Sequence, residues 1–170
     1  MKKTVYLSLG SNSGNRERNL RQAVECLGPL GKVMEVSPIY ETEPVGVGPQ
    51  RWYLNCAVAL RTELGPRQLL IRTRQIEKEL GRRRMVSIAS ERKRPRPIDI
   101  DILLLGKVVL DSLKLVIPHP AMHQRRFVLE PLAEIAPRVR HPLLKSSVRQ
   151  MRDAVQTESQ STRRFKNAFV

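Results

Sequence analysis

The alternation of apolar and polar residues predicts four β-strands. Over residues 4–9, valine and leucine alternate with threonine, tyrosine and serine, which is the period of a strand with one buried face. Similar patterns predict strands over residues 33–41, 53–61 and 98–105. The last of these is the most clearly defined, and Gly106 ends it.

A helical period predicts two helices between these strands. The first helix is expected over residues 16–27 and the second over residues 66–80, each followed by glycine. Prolines break residues 118–142 into short pieces, with one or two helical turns expected over residues 129–135. A last helix is expected to begin at residue 146 or 147. This order of elements predicts an α+β fold with a ferredoxin-like sheet and flanking helices.

The composition predicts a single globular domain. The chain has 170 residues, of which 41% are hydrophobic, and this is enough for one core. We expect the domain to span residues 1–156 and a basic, frayed tail to follow over residues 157–170. Cys26 and Cys56 form no disulfide or zinc motif, and the N-terminal apolar stretch is too short for a signal peptide or membrane span. We therefore expect a cytoplasmic monomer that binds no membrane.

The charge of the chain indicates an anionic partner. Lysine and arginine number 31 against 16 acidic residues, which gives a formal net charge of +15. Charge alone does not choose among nucleotides, nucleic acids and membrane phosphates. Residues 82–97 contain much of this charge and few apolar side chains. This composition predicts an exposed, mobile loop, which is either a binding loop or a linker.

Two aspartates are the main candidates for chemistry. Asp99 and Asp101 share one face of the last predicted strand, with Cα atoms roughly 7 Å apart, while isoleucines alternate with them toward the core. Two such carboxylates could hold a pair of magnesium ions, which lie roughly 4 Å apart in phosphoryl-transfer sites. An ordinary strand with a solvated face gives the same pattern, although neighbouring aspartates repel each other unless a cation compensates them. The arginines of residues 82–97 could do so, or they could form a solvated or nucleic-acid-binding arm.

Three further features could belong to a site. Residues 10–15 follow the first strand, but they match neither the P-loop nor the dinucleotide-binding glycine motif. They are either a flexible loop beside a site or a helix start capped by Asn15. Tyr53 and Asn55 share a strand face and could stack on and hydrogen-bond a flat heterocycle, although such residues are structural in most proteins. His119 lies between two prolines, where it could bind phosphate or form a hydrogen bond within the loop.

Together these segments resemble the 6-hydroxymethyl-7,8-dihydropterin pyrophosphokinases of folate biosynthesis, in order from Tyr6 to about Pro137. The most specific motif is Arg-Pro-Ile-Asp-Ile-Asp-Ile at residues 96–102. The supporting motifs are Leu-Gly-Ser-Asn at residues 9–12, Tyr-Leu-Asn-Cys-Ala-Val-Ala-Leu at 53–60, Ile-Glu-Lys-Glu-Leu-Gly-Arg-Arg-Arg at 76–84, Ile-Pro-His-Pro at 117–120 and Phe-Val-Leu-Glu-Pro-Leu-Ala-Glu-Ile-Ala-Pro at 127–137.

The resemblance implies a reaction and a set of site residues. ATP would give its terminal two phosphates to the hydroxymethyl oxygen of the pterin, AMP would leave, and two magnesium ions bound by Asp99 and Asp101 would bridge the phosphates. The implied catalytic residues are Arg82, Arg96, Asp99 and Asp101. The implied ATP-binding residues are Glu77, Arg82, Arg84, Arg96, Ile102, Lys114, His119 and Arg125. The implied pterin-binding residues are Thr42, Glu43, Val45, Tyr53, Asn55 and Phe127, with the pterin stacked between Tyr53 and Phe127.

The chain departs from the family pattern in the loop expected to close over the nucleotide. Lys93 and Arg94 stand where the family has an aromatic residue and glycine, so one ring that would cover the substrates is missing. Pro120 stands in place of a tyrosine after the histidine. Lys93 and Pro120 are therefore not counted among the site residues.

Two other classes of protein share part of this pattern. An RNA-binding module could use a similar sheet, but only 4% of the residues are aromatic, and Asp99 and Asp101 would repel phosphates in the absence of metal. We therefore expect no nucleic-acid partner. A nucleotide-binding regulatory subunit without turnover would share every residue with the enzyme, so an assay is needed to separate the two.

Overall fold

The predicted strands form an antiparallel sheet in the computed structural model, which describes residues 1–46, 48–83, 94–156 and 160–169. Within these ranges the strands are Lys3–Ser11 (β1), Lys32–Val36 (β2), Ile39–Thr42 (β3), Tyr53–Thr62 (β4), Asp99–Leu105 (β5), Leu110–Asp111 (β6), Val116–Ile117 (β7) and Thr162–Lys166 (β8). The α-helices are Arg16–Leu27 (α1), Pro66–Glu79 (α2), Arg126–Ile135 (α3) and Val148–Ala154 (α4). Strands β5, β1, β4, β3 and β8 lie side by side in that order, and β2 also pairs with β4.

Strands β1 and β4 form the centre of the sheet because both are long and their side chains are almost all buried. They pair without interruption along the whole of β1. Strand β5 pairs with the other side of β1, which places Asp99 opposite Gly10 and Asp101 opposite Ser8. The two acids therefore lie at the end of the sheet where β1 runs into the loop before α1.

Helices cover both faces of this sheet. Helices α1 and α2 pack on one face against buried side chains that include Leu7, Leu9 and Ile100. Helices α3 and α4 pack on the other face against Ala57 and Leu103. Burial of each large apolar side chain contributes about 1.5–3 kcal/mol, so both faces hold the strands in place. The architecture is the predicted α+β fold, a ferredoxin-like sheet with flanking helices.

The strand predicted over residues 33–41 is divided in two. Both halves pair with β4, but Ser37 and Pro38 interrupt the ladder between them. Proline has no N–H to donate, and the Ser37 hydroxyl instead accepts a hydrogen bond from the Ala57 backbone N–H at 2.8 Å. The hydrophobic alternation continues across this break, which is why the pattern predicted one strand.

The region after β7 also differs from the prediction. Helix α3 begins three residues earlier than the expected helical turns and contains Pro131, because four buried apolar residues around the proline hold the helix against the sheet. The tail over residues 157–170 was expected to be frayed, but residues 162–166 form β8 and pair with β3. This strand is exposed and charged, as edge strands often are, so it lacks the alternation that predicts a strand. No helix in the described ranges is long and apolar enough to cross a membrane.

Candidate active site

Strand β5 places its two aspartates beside the same two cavities. Asp99 and Asp101 both line each cavity, as expected for alternate residues of one strand. Ile98, Ile100 and Ile102 are buried in the core. The isoleucines therefore anchor the strand and fix the direction of both carboxylates.

Asp99 lies among arginines. Its carboxylate accepts hydrogen bonds from Arg82 and from Arg96 Nη1, the latter at 2.7 Å. Burial raises the pKa of Asp99, but the charges of Arg82 and Arg96 outweigh burial and lower the pKa below its usual value. Arg82 is held in turn by Glu77 Oε1 at 2.6 Å, and Glu77 also accepts a hydrogen bond from the Ile100 backbone N–H. Asp99 is therefore ionised and fixed by a network that joins α2 to β5.

Asp101 has different surroundings. In the described part of the chain, the basic side chains within 4 Å of it are His119 and Arg125, whose Nε2 and Nη1 atoms each lie 3.9 Å from Oδ2. Burial and the neighbouring charge of Asp99 raise the pKa of Asp101 to about 7. Asp101 is therefore partly protonated near pH 7. A cation bound beside it would favour the ionised carboxylate.

His119 offers a hydrogen-bond donor beside Asp101. Burial, and then the charge of Arg125, lower the pKa of His119 to about 4, so the imidazole is neutral at pH 7. Its Nδ1 atom accepts a hydrogen bond from the Ala121 backbone N–H at 3.2 Å, and the proton therefore lies on Nε2. The Nε2–H group can donate to an anionic oxygen in the second cavity.

The first cavity has a volume of about 370 Å³ and lies between β3, β4 and the start of α3. It is lined by all six residues that the family motifs assign to the pterin: Thr42, Glu43, Val45, Tyr53, Asn55 and Phe127. Asn55 Nδ2 donates to Thr42 Oγ1 at 2.5 Å, which fixes the direction of the buried amide. The guanidinium of Arg125 lies 5.6 Å from the centre of the Phe127 ring. The cavity thus offers aromatic side chains and a fixed amide.

Gly10 of β1 leaves space for the side chains of Asn55 and Tyr53 that line this cavity. A Cβ atom at this position would lie 2.7 Å from Asn55 Oδ1 and 3.5 Å from Tyr53 Cδ1. Such a distance to the amide oxygen is too short for a real contact, so any larger residue would displace Asn55. The family motif included Gly10, but the sequence alone did not indicate that its small size serves the neighbouring strand.

The second cavity has a volume of about 420 Å³ and lies between α2, β5 and the segment that contains β6 and β7. It is lined by the following residues that the family motifs assign to ATP: Glu77, Arg82, Arg96, Ile102, Lys114, His119 and Arg125. Arg84, which was also assigned to ATP, lies outside the described residues, as does Lys93. The cavity wall is rich in cationic side chains, as a polyphosphate site requires.

Each cavity is also lined by residues that the sequence did not predict as part of a site. The first cavity also contains Ser8, Gly10, Pro44 and Gly46, and the second also contains Leu70, Thr73, Arg74, Ser112, Leu115 and Pro120. Leu70, Thr73 and Arg74 share one face of α2 with Glu77, because they precede it by seven, four and three residues. This spacing could have identified them once Glu77 was assigned.

The segment over residues 10–15 is the capped helix start that one interpretation expected, and it also lies beside the site. Asn15 caps α1, since its side chain accepts from the Arg18 backbone N–H at 3.0 Å. Asn12 accepts from the Arg96 backbone N–H at 2.6 Å and donates its own N–H to the Arg96 carbonyl at 3.0 Å. The loop therefore starts a helix and also fixes Arg96 beside Asp99.

Arg96, Asp99, Asp101 and Arg125 line both cavities, so the acidic pair lies where the cavities meet. One cavity suits a flat heterocycle and the other a polyphosphate, which is the arrangement of a transferase with two substrates. The family model for 7,8-dihydro-6-hydroxymethylpterin-pyrophosphokinase (HPPK) matches residues 6–137. The chain belongs to the HPPK family, which confirms the assignment made from its motifs.

Curated relatives agree with this assignment. The chain is 48% identical over 141 residues to the 2-amino-4-hydroxy-6-hydroxymethyldihydropteridine pyrophosphokinase of Bacillus subtilis (strain 168), with 82% of this chain and 81% of the relative covered. It is 36% identical over 149 residues to the protein of the same name from Aquifex aeolicus (strain VF5), with 88% and 90% covered. It also matches the mitochondrial folate synthesis bifunctional protein of Arabidopsis thaliana at 43% identity, covering 77% of this chain and 23% of that protein.

A solved structure shares the fold. A variant of Plasmodium falciparum HPPK-DHPS, crystallised with pterin and p-hydroxybenzoate, superposes with a TM-score of 0.71 at 17% sequence identity. The superposition covers 90% of this chain and 43% of that longer chain. At this level of identity the likeness supports the α+β fold.

Proposed function

We propose that this chain transfers the terminal pyrophosphate of ATP to the hydroxymethyl group of 6-hydroxymethyl-7,8-dihydropterin and releases AMP, as a pyrophosphokinase of folate biosynthesis. The observation that carries the proposal is the position of Asp99 and Asp101 in the shared wall of a cationic cavity and an aromatic cavity. Membership of the HPPK family supports it.

We propose Asp99 and Asp101 as the ligands of two magnesium ions. No group of three or more His, Cys, Asp or Glu side chains in the described ranges could hold a metal ion. Two carboxylates nevertheless fit magnesium, because this ion keeps waters and takes substrate phosphate oxygens as its remaining ligands. Both carboxylates face the cationic cavity, where those oxygens would lie. When bound, magnesium neutralises phosphate charge and polarises the phosphorus–oxygen bonds.

ATP is proposed to occupy the second cavity. Arg82, Arg96 and Arg125 line it and are suited to bind phosphate oxygens, since guanidinium groups match their geometry. The neutral His119 can donate its Nε2–H to a phosphate oxygen without adding charge. Glu77, Ile102 and Lys114 are proposed to hold the rest of the nucleotide, and the family motif assigns Arg84 to the same role.

The pterin is proposed to occupy the first cavity. Tyr53 and Phe127 would contact its two ring faces, since aromatic rings prefer stacked or edge contacts. Asn55 offers a fixed amide for the polar ring edge, and backbone groups of Thr42, Glu43 and Val45 offer further partners. This arrangement would direct the hydroxymethyl group toward the acidic pair.

The proposed reaction is a displacement at the β-phosphorus of ATP. The hydroxymethyl oxygen forms a bond to the β-phosphorus and loses its proton to water. The bond from this phosphorus to the oxygen bridging the α-phosphate breaks, and AMP leaves with the electron pair of that bond. Phosphoryl transfer needs mainly positioning and charge neutralisation. Arg82 and Arg96 are proposed to act here as catalytic residues, because they neutralise Asp99 and reach the wall that faces the phosphates.

The cellular setting is also a proposal. Cys26 and Cys56 are both free thiols, which fits a reducing compartment such as the cytoplasm. We propose that the protein acts there as a monomer on small-molecule substrates, without a nucleic-acid partner.

An assay of AMP formation with one component omitted at a time tests the function. We expect AMP only when ATP, magnesium and the hydroxymethyl-dihydropterin are all present. The matched control is 6-methyl-7,8-dihydropterin, which has the same ring but no hydroxyl to accept the phosphates, and it should inhibit without giving AMP. AMP formation that does not depend on the pterin would contradict the proposal, as would nucleotide binding with no turnover, which would favour a regulatory subunit.

A further inference from the structure

The C-terminal segment, residues 160–166, contacts both sides of the first cavity. Gln160 Oε1 accepts from the Arg126 backbone N–H at 2.7 Å, and Gln160 Nε2 donates to the Gln124 carbonyl at 2.9 Å. These contacts fix the start of α3, where Phe127 lines the cavity. The next residue, Ser161, accepts from the Glu43 backbone N–H at 3.0 Å. Two adjacent residues of the tail thus contact the two segments of the cavity lining that contain Phe127 and Glu43.

Arg163 contacts two residues that are next in sequence to residues of the cavity lining. Its guanidinium binds the buried Glu41 carboxylate, with Nε 2.9 Å from Oε2, and lies 5.6 Å from the centre of the Trp52 ring. Glu41 and Trp52 immediately precede two cavity residues, the lining threonine of β3 and the lining tyrosine of β4. Arg163 therefore contacts the residues that immediately precede Thr42 and Tyr53.

The pair between Arg163 and Glu41 is part of a larger network. Arg16 Nη1 lies 2.9 Å from Glu41 Oε1 and donates to the Trp52 carbonyl at 2.7 Å. Burial raises the pKa of Glu41, but Arg163 and Arg16 lower it further than burial raises it, so this carboxylate stays charged. The Arg163 side chain is largely exposed and Glu41 also keeps Arg16 as a partner, so the contact with Arg163 orients the carboxylate and adds little stability.

We propose that Gln160 and Arg163 are positioning residues that set the width and shape of the pterin cavity. The inference rests on the proposed function of that cavity. The two side chains do not line the cavity themselves; they hold β3, β4 and the start of α3 at fixed separations. Other side chains of the same strand make different contacts, since Lys166 pairs with Glu17 on α1, and Arg164 donates to its neighbour Asn167 and lies opposite Tyr40. Ser161 and Thr162 act through their backbone, so Gln160 and Arg163 are the side chains chosen to test positioning.

Kinetics of Gln160→Ala and Arg163→Ala in the full chain test this inference. Each variant should raise the KM for the pterin on the order of fivefold, which corresponds to the loss of one hydrogen bond of ordinary net strength. The KM for ATP should change by less than about twofold, because the contacts lie on the side of the pterin cavity. Arg163→Lys keeps a charge beside Glu41 and should give an intermediate pterin KM. Arg164→Ala is the matched control on the same strand and should leave both KM values unchanged.

Two results would overturn the inference. One is a pterin KM in both alanine variants equal to that of the wild type. The other is an equal rise in both KM values together with a lowered Tm, since this would indicate general loss of structure. If the wild type itself gave no turnover, the proposed function would fail separately, and calorimetric binding of the pterin to the same variants would still decide the positioning role.

Discussion

Asp99 and Asp101 are alternate residues of one strand, yet their surroundings give them different proton affinities. Two arginines hydrogen-bond Asp99 and keep its pKa low, whereas Asp101 has no cation within hydrogen-bonding distance in the described ranges. Burial and the charge of Asp99 therefore raise the pKa of Asp101 to about 7. A divalent cation beside Asp101 must compete with this proton.

This competition predicts a pH-dependent metal affinity. Because the proton occupies Asp101 below its raised pKa, affinity should fall as the pH falls, by on the order of tenfold from pH 8 to pH 6. Mn²⁺ is a suitable probe, since it also prefers oxygen ligands and its free form is visible by EPR. Asp101→Asn should bind Mn²⁺ more weakly and lose most of this pH dependence. An affinity of the wild type that is constant from pH 6 to pH 8 would contradict the assignment.

Some positions and contacts of single residues were predictable from the sequence, and others were not. The spacing of Asp99 and Asp101 predicts that both lie on one face, and the structure places both in the same cavity walls. The sequence did not indicate that Arg82 bridges Glu77 and Asp99, because that contact joins α2 to a strand seventeen residues away. Hydrogen bonds between distant elements leave no periodic signal.

At the scale of elements, the close approach of β1 and β4 shapes the first cavity, the one proposed for the pterin. Gly10 lies opposite Asn55 in the pairing of these strands. Only a residue without a side chain leaves room for the Asn55 amide, which Thr42 fixes in place. The direction of the amide thus depends on a residue of the neighbouring strand.

Gly10→Ala is expected to impair use of the pterin more than it impairs folding. The added Cβ would displace Asn55 and should raise the KM for the pterin on the order of tenfold, because small misplacements of binding groups are costly. Gly28→Ala is the matched control, since a Cβ there meets nothing within 4 Å. Steady-state kinetics with varied pterin, together with Tm values, measure both effects. An unchanged pterin KM in Gly10→Ala would show that Asn55 does not contact the substrate.

The long elements were predictable because their buried faces repeat. Helices α1 and α2 and strands β1, β4 and β5 all follow such a pattern, and the structure confirms them. The break at Pro38 and the earlier start of α3 were missed, since one depends on the Ser37 hydroxyl accepting from an N–H of β4 and the other on packing around Pro131. Tertiary contacts decide these boundaries.

At the scale of the whole molecule, the last strand of the described chain packs against elements from its first quarter. Strand β8 pairs with β3, and Lys166 near the C-terminus binds Glu17 of α1. Periodicity could not predict β8, because most of its side chains are exposed and its stability comes from backbone pairing and ion pairs. The cavities themselves form only when α2, β5 and this edge of the sheet come together. Their residues were therefore predictable from the family motifs, while their geometry required the fold.

Part of the excess positive charge of the chain lies around the second cavity. The arginines around Asp99 and Asp101 surround the cavity proposed for ATP, so part of the +15 charge serves an anionic substrate. The acidic pair, rather than the cationic wall alone, is proposed to make pyrophosphate transfer possible.

Rapid-quench measurement of AMP formation by Asp101→Asn, with saturating ATP, magnesium and pterin, tests the role of the acidic pair. The substitution keeps the size of the side chain but removes a proposed metal ligand, so the rate should fall on the order of a thousandfold or more, while pterin binding changes little. Asp153→Asn, an exposed position on α4 paired with Arg152, should keep the wild-type rate. A rate for Asp101→Asn within tenfold of the wild type would contradict the account.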